Sequence, residues 1–269
     1  MGASGQIVLG RLAESSHQVA GAVVEEVLLR LGHDVAVMDG LHTDMYAALA
    51  AGDIHLFATG WLPHGHGILW AGVKDRVDEV ATLFTGARYF WAVPCYVPQA
   101  QVAELEDLSD PDVVEDMTTL TIVGSTPASG LNRWSAQLIE AYGLAEAGWQ
   151  LQPGSVDEII ATVRRRLGAG DWFVTPTWVP HHLSDVFDLR RLDDPRRVFP
   201  PPDRASLLGH RESVALLPER TRRVLGRVRL TVDDVNEMDS LVNLDGLDPL
   251  VAAREWMDER DSLVRCWLA

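Results

Sequence analysis

The chain is 269 residues long, 47% hydrophobic and 23% charged, with 39 acidic against 23 basic side chains for a net charge of -16. That length can bury a large core, either as one α/β domain or as two lobes of roughly 100 to 150 residues each. The acidic balance argues against nucleic acid, whose binding rests on clustered Lys and Arg, and no apolar run is long enough to span a membrane.

Residues 1–6 lack the basic and apolar regions of an export signal, and no cysteine follows to carry a lipid. The chain as written is expected in the cytoplasm, or outside it if an export segment has been removed. Residues 7–9 form a first predicted strand. Ser15 and Ser16 offer an N-cap for a helix over 17–31 that Gly32 ends; a strand, turn and helix start of this kind suits an anion. Residues 34–38 alternate as a second strand, Thr43 caps a helix through Ala51, and Gly52 ends it before a strand over 54–57. Leu69, Val73, Val77, Val80 and Phe84 recur at helical spacing and predict a helix over 68–84. Residues 89–93 read as a strand, and Pro94 and Pro98 bracket a crossover.

The middle of the chain repeats the alternation. A strand over 120–123 leads through a Ser, Thr and Gly-rich loop to a helix over 131–142, stopped by Gly143. After a strand over 149–151, Ser155 and Glu158 form a capping box for a helix ending at Gly168, and a strand follows over 172–174. Residues 193–202, rich in Pro, Asp and Arg, read as an extended return segment. The last part holds a strand over 214–217 and two helices, the second opened by Asp248 as cap and Pro249 at its first position. The basic run at 220–229 reads as the polar face of a helix running into a strand. Cys95 and Cys266, outside any CxxC spacing, leave a long-range disulfide open.

Two stretches answer each other. Thr59-Gly60-Trp61-Leu62-Pro63-His64-Gly65-His66-Gly67 and Thr175-Pro176-Thr177-Trp178-Val179-Pro180-His181-His182 each follow an apolar run, and each presents a Trp, a Pro and two His. Ligands of open α/β sheets collect at the carboxyl ends of strands, so both loops are expected to face one cleft.

These residues carry a resemblance. Gly52-Asp53-Ile54-His55 with the loop at 61–70, Ala92-Val93-Pro94-Cys95-Tyr96-Val97, the stretch 175–192, and Ala252-Ala253-Arg254-Glu255-Trp256 with 264–268 resemble, in order, four segments of the glycine betaine and related quaternary-amine substrate-binding proteins of ABC transporters. The resemblance covers nearly the whole chain. It implies a two-lobed α/β fold of the type II periplasmic-binding class with a ligand cleft between lobes, residues 1–93 and 204–269 in one lobe and 94–203 in the other. Hinges would lie near 93–97 and 200–204. The implied partner is a small zwitterion or cation, with a separate permease and ATPase, and no cofactor is implied.

A quaternary ammonium donates no hydrogen bond, so such proteins select it with indole faces. Trp61 and Trp178 fall on two cage positions. His66, Ser15, Ser16 and the amides of Ser129 and Gly130 are candidates for a carboxylate. His181 reads as a brace for its own loop, with His182 beside it, and Trp134 and Tyr96 complete the candidate set. The chain departs from the family where Ala128-Ser129-Gly130 replaces an aromatic, where Pro180-His181-His182 replaces Pro-His-Trp, and where an early Trp is absent near Ala13. The alternative is an enzyme on the same scaffold that uses cleft histidines as acid and base on a biosynthetic intermediate. No HExxH, 2-His-1-carboxylate or CxxC spacing supports a metal.

Overall fold

The computed structural model describes residues 5–269, so the first four residues of the N-terminal stretch read above lie outside it. Two compact units divide the chain. Unit 1 takes the residues up to Ala87, Pro180–His182 and Asp203–Ala269; unit 2 takes Arg88–Val179 and Leu183–Pro202.

Unit 1 opens with β1 (Ile7–Leu12), α1 (Ser15–Arg30), β2 (Val35–Gly40), α2 (His42–Ala51), β3 (Leu56–Leu62) and the short α3 (Gly67–Val73). β1 pairs in parallel with β2 and β3. The N-cap of α1 is Glu14, not a serine: Ser15 and Ser16 already sit in its first turn, and no side chain caps it. Thr43 likewise lies inside α2, whose cap is Leu41. Gly52 ends α2 as expected, at φ 82, where a Cβ would stand 3.1 Å from the His210 ring.

β3 begins two residues later than the sequence suggests and runs through Leu62 with every residue buried, so Thr59 to Leu62 are strand rather than loop. Its Phe57 and Leu62 pack with Leu12, Met45, Tyr46, Leu49 and Ile54 into one cluster, against which Leu69 and Trp70 of α3 also pack. Past Val73 the expected helix does not continue. β4 (Val77–Pro94) takes its place, beginning in unit 1 and passing into unit 2 at Arg88.

In unit 2 the chain makes a 3-10 turn at Leu105–Ser109 and then forms α4 (Pro111–Asp116), β5 (Thr121–Val123), α5 (Gly130–Ala141), β6 (Gln150–Gln152), α6 (Val156–Ala169), β7 (Thr175–Val179), α7 (Leu183–Val186) and β8 (Leu189–Arg191). β5 pairs with β6, while β7 and β8 run antiparallel to the second half of β4. The capping box of α6 is formed by Ser155 and Glu158, as its sequence dictates. The strand expected at 172–174 is displaced onto the second signature itself, 175–179.

The chain returns to unit 1 as β9 (Asp203–His210), α8 (Arg211–Leu216), α9 (Glu219–Leu225), α10 (Val232–Asp245), α11 (Pro249–Glu259) and α12 (Asp261–Leu268). β9 inserts between β3 and the first half of β4, antiparallel to both, so the unit 1 sheet runs β2-β1-β3-β9-β4. The pairing of β4 with β9 slips register three times, between Glu79 and Ala81, Thr82 and Phe84, and Thr85 and Ala87. Each bulge inserts a residue, so the buried positions drift off a period of two and imitate a helix. The strand expected at 214–217 is α8 instead, and the basic run after α9 ends in a turn rather than a strand. α10 and α11 pack on α1. Asp248 caps α11 with Pro249 in its first turn, as read from sequence. Among the described residues no helix is long and apolar enough to cross a membrane.

Candidate functional site

β3 carries the centre of the site. Its pairing with β9 is irregular between Phe57 and Gly60, and Thr59 adopts φ 67 there. Positive φ in a β-branched residue is strained, and such strain persists only where surrounding contacts impose it. The Thr59 hydroxyl donates to the Ala58 carbonyl at 2.7 Å and stands 2.5 Å from His17 Nδ1 on α1. With its proton spent on Ala58, Thr59 accepts from His17, which places the imidazole proton on Nδ1 and turns Nε2 into an acceptor.

Two residues on, Trp61 and His66 clasp one another through the backbone. The Trp61 N–H donates to His66 Nδ1 at 3.1 Å, and the His66 N–H donates to the Trp61 carbonyl at 2.8 Å. The His66 ring proton is therefore on Nε2. The Trp61 indole is buried, with the His17 ring centroid at 5.4 Å and that of His66 at 6.4 Å. His42 meets His66 edge-on at 4.8 Å. Asp203, at the start of β9, fixes the turn between them by accepting the N–H groups of His64 and Gly65 at 2.8 and 2.7 Å.

The segment Pro180–His182 adds a second group to unit 1. His181 and His182 stack at 4.4 Å. His182 donates its backbone N–H to Asp239 Oδ2 on α10 at 2.6 Å, and its Nδ1 lies 3.1 Å from the same oxygen. His182 thus braces the segment against α10. Asn243, one turn along α10, donates to Asp239 Oδ1 at 3.0 Å and to the Ser15 hydroxyl at 3.0 Å. Ser15 is engaged by its neighbours, whereas the buried Ser16 hydroxyl has no hydrogen-bond partner among the described residues.

Burial sets the charges. It pulls His17 and His181 down to about 3 and His42 to about 4, so all three are neutral near pH 7. Burial and the nearby Asp239 push Glu14, whose Oε2 lies 3.9 Å from His17 Nε2, up to about 7. Burial also pushes Asp239 upward, but the bonds from His182 and Ser15 and the adjacent His181 outweigh it and hold the carboxyl below its ordinary value. The unit 1 group therefore presents an indole, neutral imidazoles and an ionised carboxylate.

In unit 2, Trp178 is buried on β7, directly opposite Tyr89 of β4. Ser129 caps α5 by accepting the Asn132 N–H at 3.1 Å, which puts Gly130 in the first turn. Trp134 lies one turn further along, half-buried, with the Arg133 guanidinium 5.5 Å from its ring centre. Tyr96 is exposed and donates to the Asp171 carbonyl at 2.5 Å. Cys95 and Cys266 are both free thiols.

The structure thus gathers Trp61, His66, Ser15, Ser16, His181 and His182 within unit 1, and Trp178, Ser129, Gly130, Trp134 and Tyr96 within unit 2. Glu14, His17, His42, Asp203 and Asp239 belong to the unit 1 group and were not singled out by sequence.

This is the mixed α/β fold of the periplasmic-binding proteins. Lactococcal OpuAC, closed and complexed with glycine betaine, superposes with a TM-score of 0.87 at 21% identity over 98% of this chain and 99% of that one. An ABC-transporter choline binding protein in complex with choline gives 0.85 at 22% over 98% and 91%. The family described as the substrate binding domain of the ABC-type glycine betaine transport system matches residues 5–259, and the chain belongs to it. The glycine betaine/carnitine transport binding protein GbuC of Listeria monocytogenes is 29% identical over 155 residues, 55% of this chain. That match spans about half of the relative, 48% of its length.

Proposed function

We propose that the chain binds a small quaternary-amine cation or zwitterion of the glycine betaine and choline class and serves a separate ABC permease and ATPase. Family membership and the ligands of the relatives support this reading. One observation carries it: the buried Trp61 indole lies beside the His17 and His66 rings, at 5.4 and 6.4 Å between centroids, and burial keeps His17 neutral near pH 7. A cation without N–H groups gains from such a setting through ring faces, at roughly 0.5 to 2 kcal/mol per aromatic contact. Trp61 and Trp178 are the proposed contacts to the ammonium. Ser16 and the first amides of α5 at Ser129 and Gly130 are the proposed partners of a carboxylate, since helix starts favour anions.

The test is a thermal-shift and calorimetric screen of the full chain against glycine betaine, choline, carnitine and proline betaine. A ligand at 100 times its Kd stabilises by about 2.7 kcal/mol. Saturable binding of at least one compound, lost in Trp61→Ala and in Trp178→Ala with the fold intact, is the expected result. No shift with any of the four compounds would overturn the reading.

A further inference from the structure

Asp239 is fully buried, and its ion-pair partner among the described residues is a histidine, not an arginine or lysine. Glu14, which Asp239 acts on electrostatically, has its Oε2 3.9 Å from His17 Nε2, beyond hydrogen-bond reach. A buried carboxylate without a cation is costly, and proteins satisfy such groups with partners or metal ions. Asp239 already accepts from His182, Asn243 and Ser15, and the geometry around it also fits a metal ion. Donor atoms of His181, His182 and Asp239, all buried, lie within 4.8 Å of one another. Ligands about 2.0 to 2.2 Å from a tetrahedral zinc lie roughly 3.4 Å apart. The Nδ1 of His182 and the Oδ2 of Asp239 stand 3.1 Å apart and need open by only about 0.3 Å to reach that separation.

The surroundings are those of a coordinating group. Ligating carboxylates are commonly oriented by a further hydrogen bond. Asn243 supplies one to Oδ1, while Oδ2 accepts the His182 backbone N–H and faces His182 Nδ1.

We propose that unit 1 holds a divalent transition-metal site of the zinc class, with His181, His182 and Asp239 as its protein ligands and an open fourth position. The ion takes the place of the proton shared between His182 Nδ1 and Asp239, and the ring proton moves to Nε2. His181 turns inward to close the group. Two imidazoles and one carboxylate select zinc, cobalt or nickel over calcium and magnesium, which prefer oxygen ligands. The sequence hides this group because its carboxylate comes from a helix far along the chain.

The experiment uses the untagged full chain, stripped with chelator and free of any betaine, so it stands or falls separately from the ligand reading. Zinc is titrated by calorimetry and cobalt by visible absorption. Expected are one saturable zinc per chain, a rise in Tm that EDTA reverses, and cobalt d–d bands of four-coordinate intensity. His181→Gln and Asp239→Asn should each abolish all three. Absence of saturable zinc binding by the wild type would overturn the site, as would binding that survives in His181→Gln. If Asp239→Asn does not fold, the wild-type cobalt spectrum and His181→Gln decide the question. Octahedral, weak-intensity cobalt bands would assign the ion to surface groups and reject the site.

Discussion

His17 occupies a largely apolar helix, and its imidazole is buried against Thr59 and Trp61. A lone histidine on such a face reads as core, which is why sequence alone passes over it. Asp239 is missed for the opposite reason: α10 is rich in Asp and Asn, and only its packing on α1 and α11 shows which carboxylate is buried. Trp61 and His66 stand out in the sequence because two stretches repeat a Trp, a Pro and two His after an apolar run, although core burial and a hydrogen-bonded loop anchor are the ordinary readings of such residues. Their reciprocal backbone clasp predicts that His66→Ala, which removes the acceptor of a buried N–H, costs about 1 to 3 kcal/mol in urea unfolding.

The buried titratable groups give a signed pH dependence. His17, His181 and His42 stay neutral down to about 3, 3 and 4, below the ordinary 6.5. The unfolded chain takes up those protons first, so stability is lost as pH falls below 6.5. Glu14, raised from 4.5 to about 7, acts in the other direction: its contribution is full below 4.5 and is lost as pH rises through about 7. Glu14→Gln removes the opposing contribution. Its urea midpoint should therefore climb more steeply than that of the wild type between pH 4.5 and 6.5, and a shallower climb would contradict the assignment.

At the level of elements, local signals were legible where one residue dictates the backbone. Ser155 and Glu158, Asp248 and Pro249, and Gly52 all act as their chemistry requires. Ser155→Ala should destabilise by about 1 kcal/mol in urea unfolding. What the sequence concealed was pairing. Three bulges gave β4 a false helical period, and β9 went unread because strands that pair with distant segments carry no local signature. Asp203 belongs to this hidden class, a strand-end carboxylate that ties the 64–65 turn from across the sheet. Asp203→Ala should lower Tm and weaken ligand binding together, whereas Ser155→Ala should lower Tm alone.

Across the whole molecule, the resemblance read from four segments and the observed fold agree, and the open question of the cysteines closes with two free, exposed thiols. A thiol titration of the native chain should count two. Cys95 should react more slowly, because its hydrogen bond to Asp188 raises its pKa.

The place of β9 between β3 and β4 governs how the protein is made. A ribosome delivers residues up to Ala87 early, but the strand that joins β3 to the start of β4 emerges only after all of unit 2. Until then the nascent chain holds two unmatched strand edges, of the kind that invite wrong partners. Unit 2, interrupted only by Pro180–His182, is nearly continuous in sequence and can condense on local contacts during that wait. Unit 1, begun before unit 2, is thus completed after it, and shortening the delay by circular permutation at residues 202–203 should speed refolding of unit 1.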